Sequence, residues 1–349
     1  MEMLKLNETP VRTSRNYKIN NIKLENVELP TNIKAFTSTE IMGIKEIDTN
    51  VSNIDLVYGT GKILEENINN YANSKIKIEN TSEDIQINYN FDNENTQLIN
   101  NLEIIAEKNL NIIIKYESKT EKECFHNGVI RLLAKENANV NITIVNLLNN
   151  SSNNFDSIEN VLQENANVNY TIIDIGAKNS VSNYYSNLMG NGAKNDLKTI
   201  YLGTENQVKD INYIAHTRGE KTEIDIDVQG ALRDFSKKNF KGTIDFKKGC
   251  KNAKGNENEY CMMLSDTAKS IALPMLLCTE DNVEGNHSTS SGKVEPEILF
   301  YIMSRGISYK EAIKLITRAR FGNIIERIQN EELKQEIFAQ IDRRLDWWI

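Results

Sequence analysis

The residues that could carry chemistry in this chain are few. It holds three histidines, His126, His216 and His287, and four cysteines, Cys124, Cys250, Cys261 and Cys278, with no C-x-x-C pair and no H-E-x-x-H spacing. That inventory fits neither a self-contained zinc site nor a disulfide framework, and it predicts reduced, unpaired thiols. A lone imidazole is most often a hydrogen-bonded structural residue. His287 stands apart because it falls among small polar residues where the texture of the chain changes. One imidazole completed by one or two thiolates from another subunit is chemically sufficient for a transient iron site.

Two further constellations invite a chemical reading. Asp225 and Asp227 lie two apart in an alternating run, with Glu223 beside them. On a strand they face the same way, as acid/base cleavage of a polysaccharide would need. The plainer account turns Ile224, Ile226 and Val228 into the core and the acids toward water. The segment from Gly285 to Val294 looks at first like a phosphate loop. It has six residues between its glycines where that loop has four, and Val294 replaces the magnesium-binding hydroxyl, so the chain itself is not expected to hydrolyse ATP.

The elements that must position these residues are legible in the periodicity. From about 36 to 290 the chain shows short apolar alternation, as in Ile76-Lys77-Ile78, Ile85-Gln86-Ile87-Asn88-Tyr89 and Val140-Asn141-Ile142-Thr143-Ile144. Such β-branched, period-two runs broken by Asn and Gly predict strands. The first 35 residues lack a period and carry Pro10 and Pro30, which predicts an extended arm. Within the strand region Glu136-Asn137-Ala138-Asn139-Val140-Asn141-Ile142-Thr143-Ile144 recurs 28 residues later as Glu164-Asn165-Ala166-Asn167-Val168-Asn169-Tyr170-Thr171-Ile172. Weaker copies begin at Ala106 and Gly192, giving intervals of 32, 28 and 27 between Ala106, Ala138, Ala166 and Ala193. Coils that each add one layer to a stack give this pattern, so the sequence predicts a β-solenoid, with a β-sandwich of unrelated strands as the competing fold.

After Gly292 the pattern becomes helical. Pro296 opens an apolar run that stops at Gly306, Ser308 and Glu311 form a capping box, and a last helix is predicted from about Asn330 to Leu345. The predicted organisation is therefore an arm over 1–35, a β core over 36–292 and a helical tail over 293–349. The tail either covers the open end of the solenoid or offers an apolar docking face.

Composition narrows the partners. The 349 residues carry 41 basic and 49 acidic groups, a net charge of -8, which argues against a general nucleic-acid binder. No apolar run is long enough for a signal-peptide core or a membrane span, so a cytoplasmic protein with no membrane partner is expected, and the sequons Asn7-Glu8-Thr9 and Asn80-Thr81-Ser82 carry no sugar.

The run His287-Ser288-Thr289-Ser290-Ser291-Gly292-Lys293-Val294, the block Leu299-Phe300-Tyr301-Ile302-Met303-Ser304-Arg305-Gly306-Ile307-Ser308 and then Glu311-Ala312 resemble the family of SufB and SufD, components of an iron-sulfur cluster assembly system. Pro10-Val11-Arg12-Thr13, Phe125-His126-Asn127-Gly128, Gly230-Ala231-Leu232 and Phe240-Lys241-Gly242-Thr243-Ile244 extend the resemblance over most of the chain. It implies a right-handed parallel β-helix with a C-terminal helical domain that docks an ABC-type ATPase, SufC. On that likeness the chain is a non-catalytic scaffold that pairs with a SufB-like subunit, or with a second copy of itself. Phe300, Tyr301, Arg305, Gly306, Ser308 and Glu311 would face the ATPase. The resemblance makes His287 the residue that helps hold iron or a nascent iron-sulfur cluster, transiently and shared with the partner. In SufB the companion ligand is a cysteine 28 residues earlier; Glu259 stands there, with Cys261 two residues on as a displaced thiol. The missing cysteine favours SufD, although Gly285 occupies the place of a second cysteine common in SufD.

Overall fold

Alternating apolar runs need two neighbours to hide one face and pair both edges, and this chain supplies them by coiling. The computed structural model describes residues 3–13, 19–44, 46–79 and 84–346; the sequon at Asn80 lies outside them. The chain enters through β1 (Leu4–Leu6) and β2 (Ile22–Leu24), an antiparallel pair where an arm was expected, then β3 (Thr39–Met42) and α1 (Lys62–Tyr71). The coils follow as β4 (Ser74–Glu79) and β5 (Asp84–Phe91), β6 (Gln97–Ala106) and β7 (Leu110–Ser118), β8 (Phe125–Ala134) and β9 (Asn139–Leu147), β10 (Asn153–Leu162) and β11 (Asn167–Asp174). They continue as β12 (Asn179–Leu188) and β13 (Lys194–Gly203), β14 (Val208–Thr217) and β15 (Glu223–Leu232), β16 (Lys237–Phe246) and β17 (Ala253–Met263), β18 (Lys269–Cys278) and β19 (Val283–Lys293). Even-numbered strands from β4 form one parallel sheet and odd-numbered strands from β5 the other, with β3 antiparallel on β5. Each coil gives one strand to each sheet, which is a β-solenoid and excludes the sandwich.

The two strongest repeat copies stack in register, Asn139 against Asn167 and Ile144 against Ile172. The weaker copy at Ala106 does not stack as its alanine suggested. Ala106 ends β6 and lies on Ala134, while Leu110 pairs with Val140, so the interval of 32 compared a strand end with a turn. The repeated Glu-Asn-Ala has a physical reason. Asn137, Asn165, Gly192, Lys221 and Asn252 occupy one corner of successive coils with φ between 53 and 68°. Asparagine and glycine tolerate that left-handed backbone best. The corner N–H of Asn137 donates to Glu164 O and that of Asn165 to Asn191 O, both at 2.9 Å, so each turn is tied to the next. Ala138, Ala166 and Ala193 follow on the inside of the bend, fully buried where a larger side chain would not fit.

Between the sheets lies a continuous core of aliphatic and aromatic side chains. The outer faces are covered too. β1, β2 and α1 pack Leu4, Leu6, Leu64 and Ile68 against Ile99, Val129 and Phe155 of the even sheet. The buried pair Lys241 and Asp210, 2.5 Å apart, holds Asn7 there: Lys241 donates to Asn7 O at 3.0 Å and the Asn7 amide donates to Asp210 at 2.6 Å.

Helices α2 (Pro296–Ser304), α3 (Tyr309–Ile325) and α4 (Glu331–Asp346) complete the chain. The Ser308 side chain accepts from the Glu311 N–H, as the capping box requires. α3 and α4 lay Ile313, Phe321, Ile325, Ile337 and Ile341 over Val145, Ile173, Ile200 and Met262 on the outer face of the odd sheet. The tail therefore covers a flank and leaves the far end of the solenoid open. Phe36, Ile41 and Ile44 pack at the near end. At the far end β18 and β19 each pair with a single neighbouring strand. Among the described residues no helix is long and apolar enough to cross a membrane.

Candidate functional site

His287 lies in the middle of β19, the last strand of the odd sheet, and is exposed. Alternation fixes where it points. Its neighbours on the same face are Gly285, whose added Cβ would lie 3.0 Å from the Phe246 ring, and Ser291, whose hydroxyl meets Ser270 across the interior at 2.8 Å. The imidazole thus belongs to the inward face of the final coil, exposed because no further coil covers it.

Beneath it the core changes character. His287 pairs with Glu257 on β17, Thr289 with Glu259 and Ser291 with Cys261. One coil deeper the same columns carry Ile226, Val228 and Gly230. Two carboxylates therefore stand in the penultimate coil where the layer below has aliphatic side chains. One oxygen of Glu259 is provided for: the Tyr201 hydroxyl donates to it at 2.7 Å and Lys238 Nζ lies 2.8 Å from it, all three groups being buried, while the second oxygen has no hydrogen bond. Glu257 lacks even that. It is fully buried with neither carboxylate oxygen hydrogen-bonded, and burial, with Glu259 nearby, pushes its pKa up to about 8. Its carboxylate fills the space opposite Gly242, where a Cβ would stand 2.1 Å from Oε1. Cys261 shares the inward face with Glu259, as two-residue spacing requires, but it is buried and burial raises its thiol pKa. Among the described residues no three His, Cys, Asp or Glu side chains are gathered closely enough to hold a metal by themselves.

The other candidates sort clearly. His126 is buried between the side-chain amides of Asn154 at 2.6 Å and Asn100 at 2.7 Å, and His216 Nδ1 lies 3.1 Å from the Tyr185 hydroxyl. Both are structural. Glu223 and Asp225 face outward, Glu223 3.1 Å from Lys194 and Asp225 against Lys198, while Asp227 accepts from Gln229 at 2.6 Å. They form a solvated ladder of ions rather than an acid/base pair. The helical candidates gather at the start of the tail: α2 has no buried residue, Phe300 is 75 % exposed and Tyr301 58 %. Arg305 lies over the Tyr301 ring at 4.7 Å and donates to its hydroxyl at 2.6 Å. Gly306 turns the chain with φ 86° into the Ser308 cap.

Inside the even sheet runs a file of polar side chains that none of the sequence motifs marks. His126, Asn154, Ser180, Lys209, Lys238 and Ser270 stack in register from coil to coil, the first five buried. Asp174 faces Lys209 at 2.8 Å from the odd sheet. The signal was polar residues recurring at inward positions of the alternation.

Set beside known proteins, residues 89–320 match the family model described as SUF system FeS cluster assembly, SufBD core domain. The chain belongs to the SufBD family. The match runs from β5 through most of α3 and so takes in both His287 and the helical block. Among SufBD relatives, the iron-sulfur cluster assembly protein SufD of Bacillus subtilis is 26% identical over 267 residues, 75% of this chain and 61% of that protein. An iron-sulfur cluster assembly SufBD family protein of Staphylococcus saprophyticus is 26% identical over 191 residues, 55% of this chain and 41% of its own. The chain thus spans about two fifths to three fifths of the length of these relatives.

Proposed function

We propose that this SufBD member is a SufD-like, non-catalytic scaffold subunit of a cytoplasmic iron-sulfur assembly complex. It pairs with a SufB-like subunit through the open end of the solenoid and docks a SufC-like ABC ATPase on α2 and the turn into α3. The observation that carries this reading is that both sheets stop at the same end with a full-length unpaired edge, and His287 lies in that edge. Unpaired strand edges are templates for another chain, and a lone imidazole needs ligands from elsewhere to hold iron. A partner strand laid along β19 brings its own side chains to His287, so iron or a nascent cluster is held as cargo between the two subunits. The body over 36–292 supplies the rigid frame and the tail over 293–349 the ATPase contact. Because α3 and α4 cover the odd sheet where β19 lies, a shift of the ATPases on α2 is transmitted to the edge that carries His287.

Co-expression with a SufB-like chain and the ATPase, followed by mass and iron measurement under anaerobic conditions, tests this. A heteromer containing all three chains is expected, with iron content falling in His287→Ala. A chain that purifies alone under these conditions refutes the reading.

A further inference from the structure

A fully buried carboxylate without a hydrogen bond is an expensive residue in a core. Glu257 occupies the column in which the coils below place Ile226, Leu197 and Tyr170, all apolar contacts of the core. Nothing in the packing calls for an acid there. What distinguishes its position is the residue above: Glu257 and His287 are register partners on adjacent parallel strands, on one face, beneath the open end. Adjacent strands run about 4.8 Å apart, so a carboxylate oxygen and an imidazole nitrogen from such a pair can reach one ion at bond lengths of about 2.0–2.2 Å. Glu259 is not available for this role, since Lys238 and Tyr201 already engage it. Its task is to keep Lys238 occupied, which leaves Glu257 as the carboxylate without a cation.

We propose that Glu257 and His287 form a two-ligand element for a divalent cation, ferrous iron in the reading above, with the remaining positions filled by water or by the partner subunit across the open end. One oxygen and one nitrogen donor make a set of the kind ferrous and manganous ions accept. The identity of the metal rests on the assembly reading; the pairing of the two ligands rests on register and burial alone. A bound cation would give the orphaned carboxylate the partner it lacks. Gly242 leaves the space that the Glu257 carboxylate occupies.

The test is anaerobic equilibrium dialysis of the full-length chain against Fe2+, repeated with Co2+ as a spectroscopic stand-in. One ion per chain is expected. Glu257→Gln and His287→Ala should each weaken binding on the order of tenfold or more, and the double variant no further than the weaker single, because two ligands of one ion fail together. Thermal unfolding of Glu257→Gln, with Glu257→Met as a second variant, shows whether the fold is intact; neither should melt below the wild type. Binding by Glu257→Gln at the wild-type level overturns the proposal, and so does absence of binding by the wild type. The assembly reading fails on another measurement, the recovery of the heteromer, so the two failures are distinguishable.

Discussion

Glu257 and His287 are paired in register on neighbouring strands and face the same way, yet one is fully buried and the other lies open to solvent. A single coil of chain makes the difference. The last coil of a solenoid has inward-facing residues with nothing above them, so its interior positions are chemically surface positions. Groups placed at this end stand on a rigid frame without a loop built for them.

The buried carboxyl should cost stability. Replacing Glu257 by Met removes an unpartnered polar group, worth about 1–3 kcal/mol, and restores the apolar column of Ile226 and Leu197. A Tm raised by a few degrees is expected in scanning calorimetry. A Tm at or below that of the wild type would mean that the carboxyl has a partner in solution.

Gly230 tests the packing beneath the site. A Cβ there would lie 1.8 Å from Cζ of Tyr201, a fully buried ring whose hydroxyl is tied to Glu259. Neither can yield cheaply in a close-packed interior. Gly230→Ala should lose about 1–3 kcal/mol, seen as a lower urea midpoint, and the loss should shrink in a Tyr201→Ala background because the two residues share the space. Equal losses in both backgrounds would remove Tyr201 as the cause.

His216 should make stability depend on pH. Burial, helped by Lys247 and Arg218 against the pull of Asp245, lowers its pKa to about 4. The unfolded chain takes up that proton near pH 6.5, so protonation favours unfolding. The contribution is complete above about pH 6.5 and is lost progressively as pH falls toward about 4. His216→Gln, which can still bond Tyr185, should lose less stability between pH 7 and pH 5 than the wild type. Some slope remains, since burial also lowers the pKa of His126. Parallel pH profiles for the two proteins would count against His216.

The repeat was legible because the corner of each coil has one backbone solution: a left-handed residue followed by a small buried one, written as Asn137-Ala138 and again as Asn165-Ala166. Where that solution is met by Lys221 the repeat fades although the turn does not. Alternation gave the strands, and Ser308 with Glu311 gave the start of α3. α1 escaped notice because it is a short helix, Lys62–Tyr71, that buries only Leu64, Asn67 and Ile68. His287 could be singled out by its surroundings, but Glu257 could not. Its meaning depends on register with a strand 30 residues away, and alternation alone reads an acid at that place as one more solvated residue.

The docking face offers the last prediction. Leu299 of α2 packs against the core beneath, but Ile298, Phe300, Tyr301 and Met303 of the same helix are exposed, an apolar face that packing within the described residues does not use. Deleting the tail would be uninformative, because α3 and α4 cover Val145, Ile173 and Ile200, and their loss would expose that face of the sheet. Phe300→Asp is the cleaner change. Phe300 is 75 % exposed, and removing a side chain that packs on little should leave Tm and circular dichroism as they are. If the ring anchors an ATPase, placing a charge in its desolvated pocket should cost at least the ~2 kcal/mol of an interface hot spot, about a thirtyfold loss of affinity. Arg305→Ala, which frees the Tyr301 ring from its stacked guanidinium, should weaken the same contact less. Pull-down of the co-expressed ATPase reads both. Undiminished recovery with Phe300→Asp would place the contact elsewhere, while a fall in recovery with an unchanged melting curve is what a surface built for a partner requires.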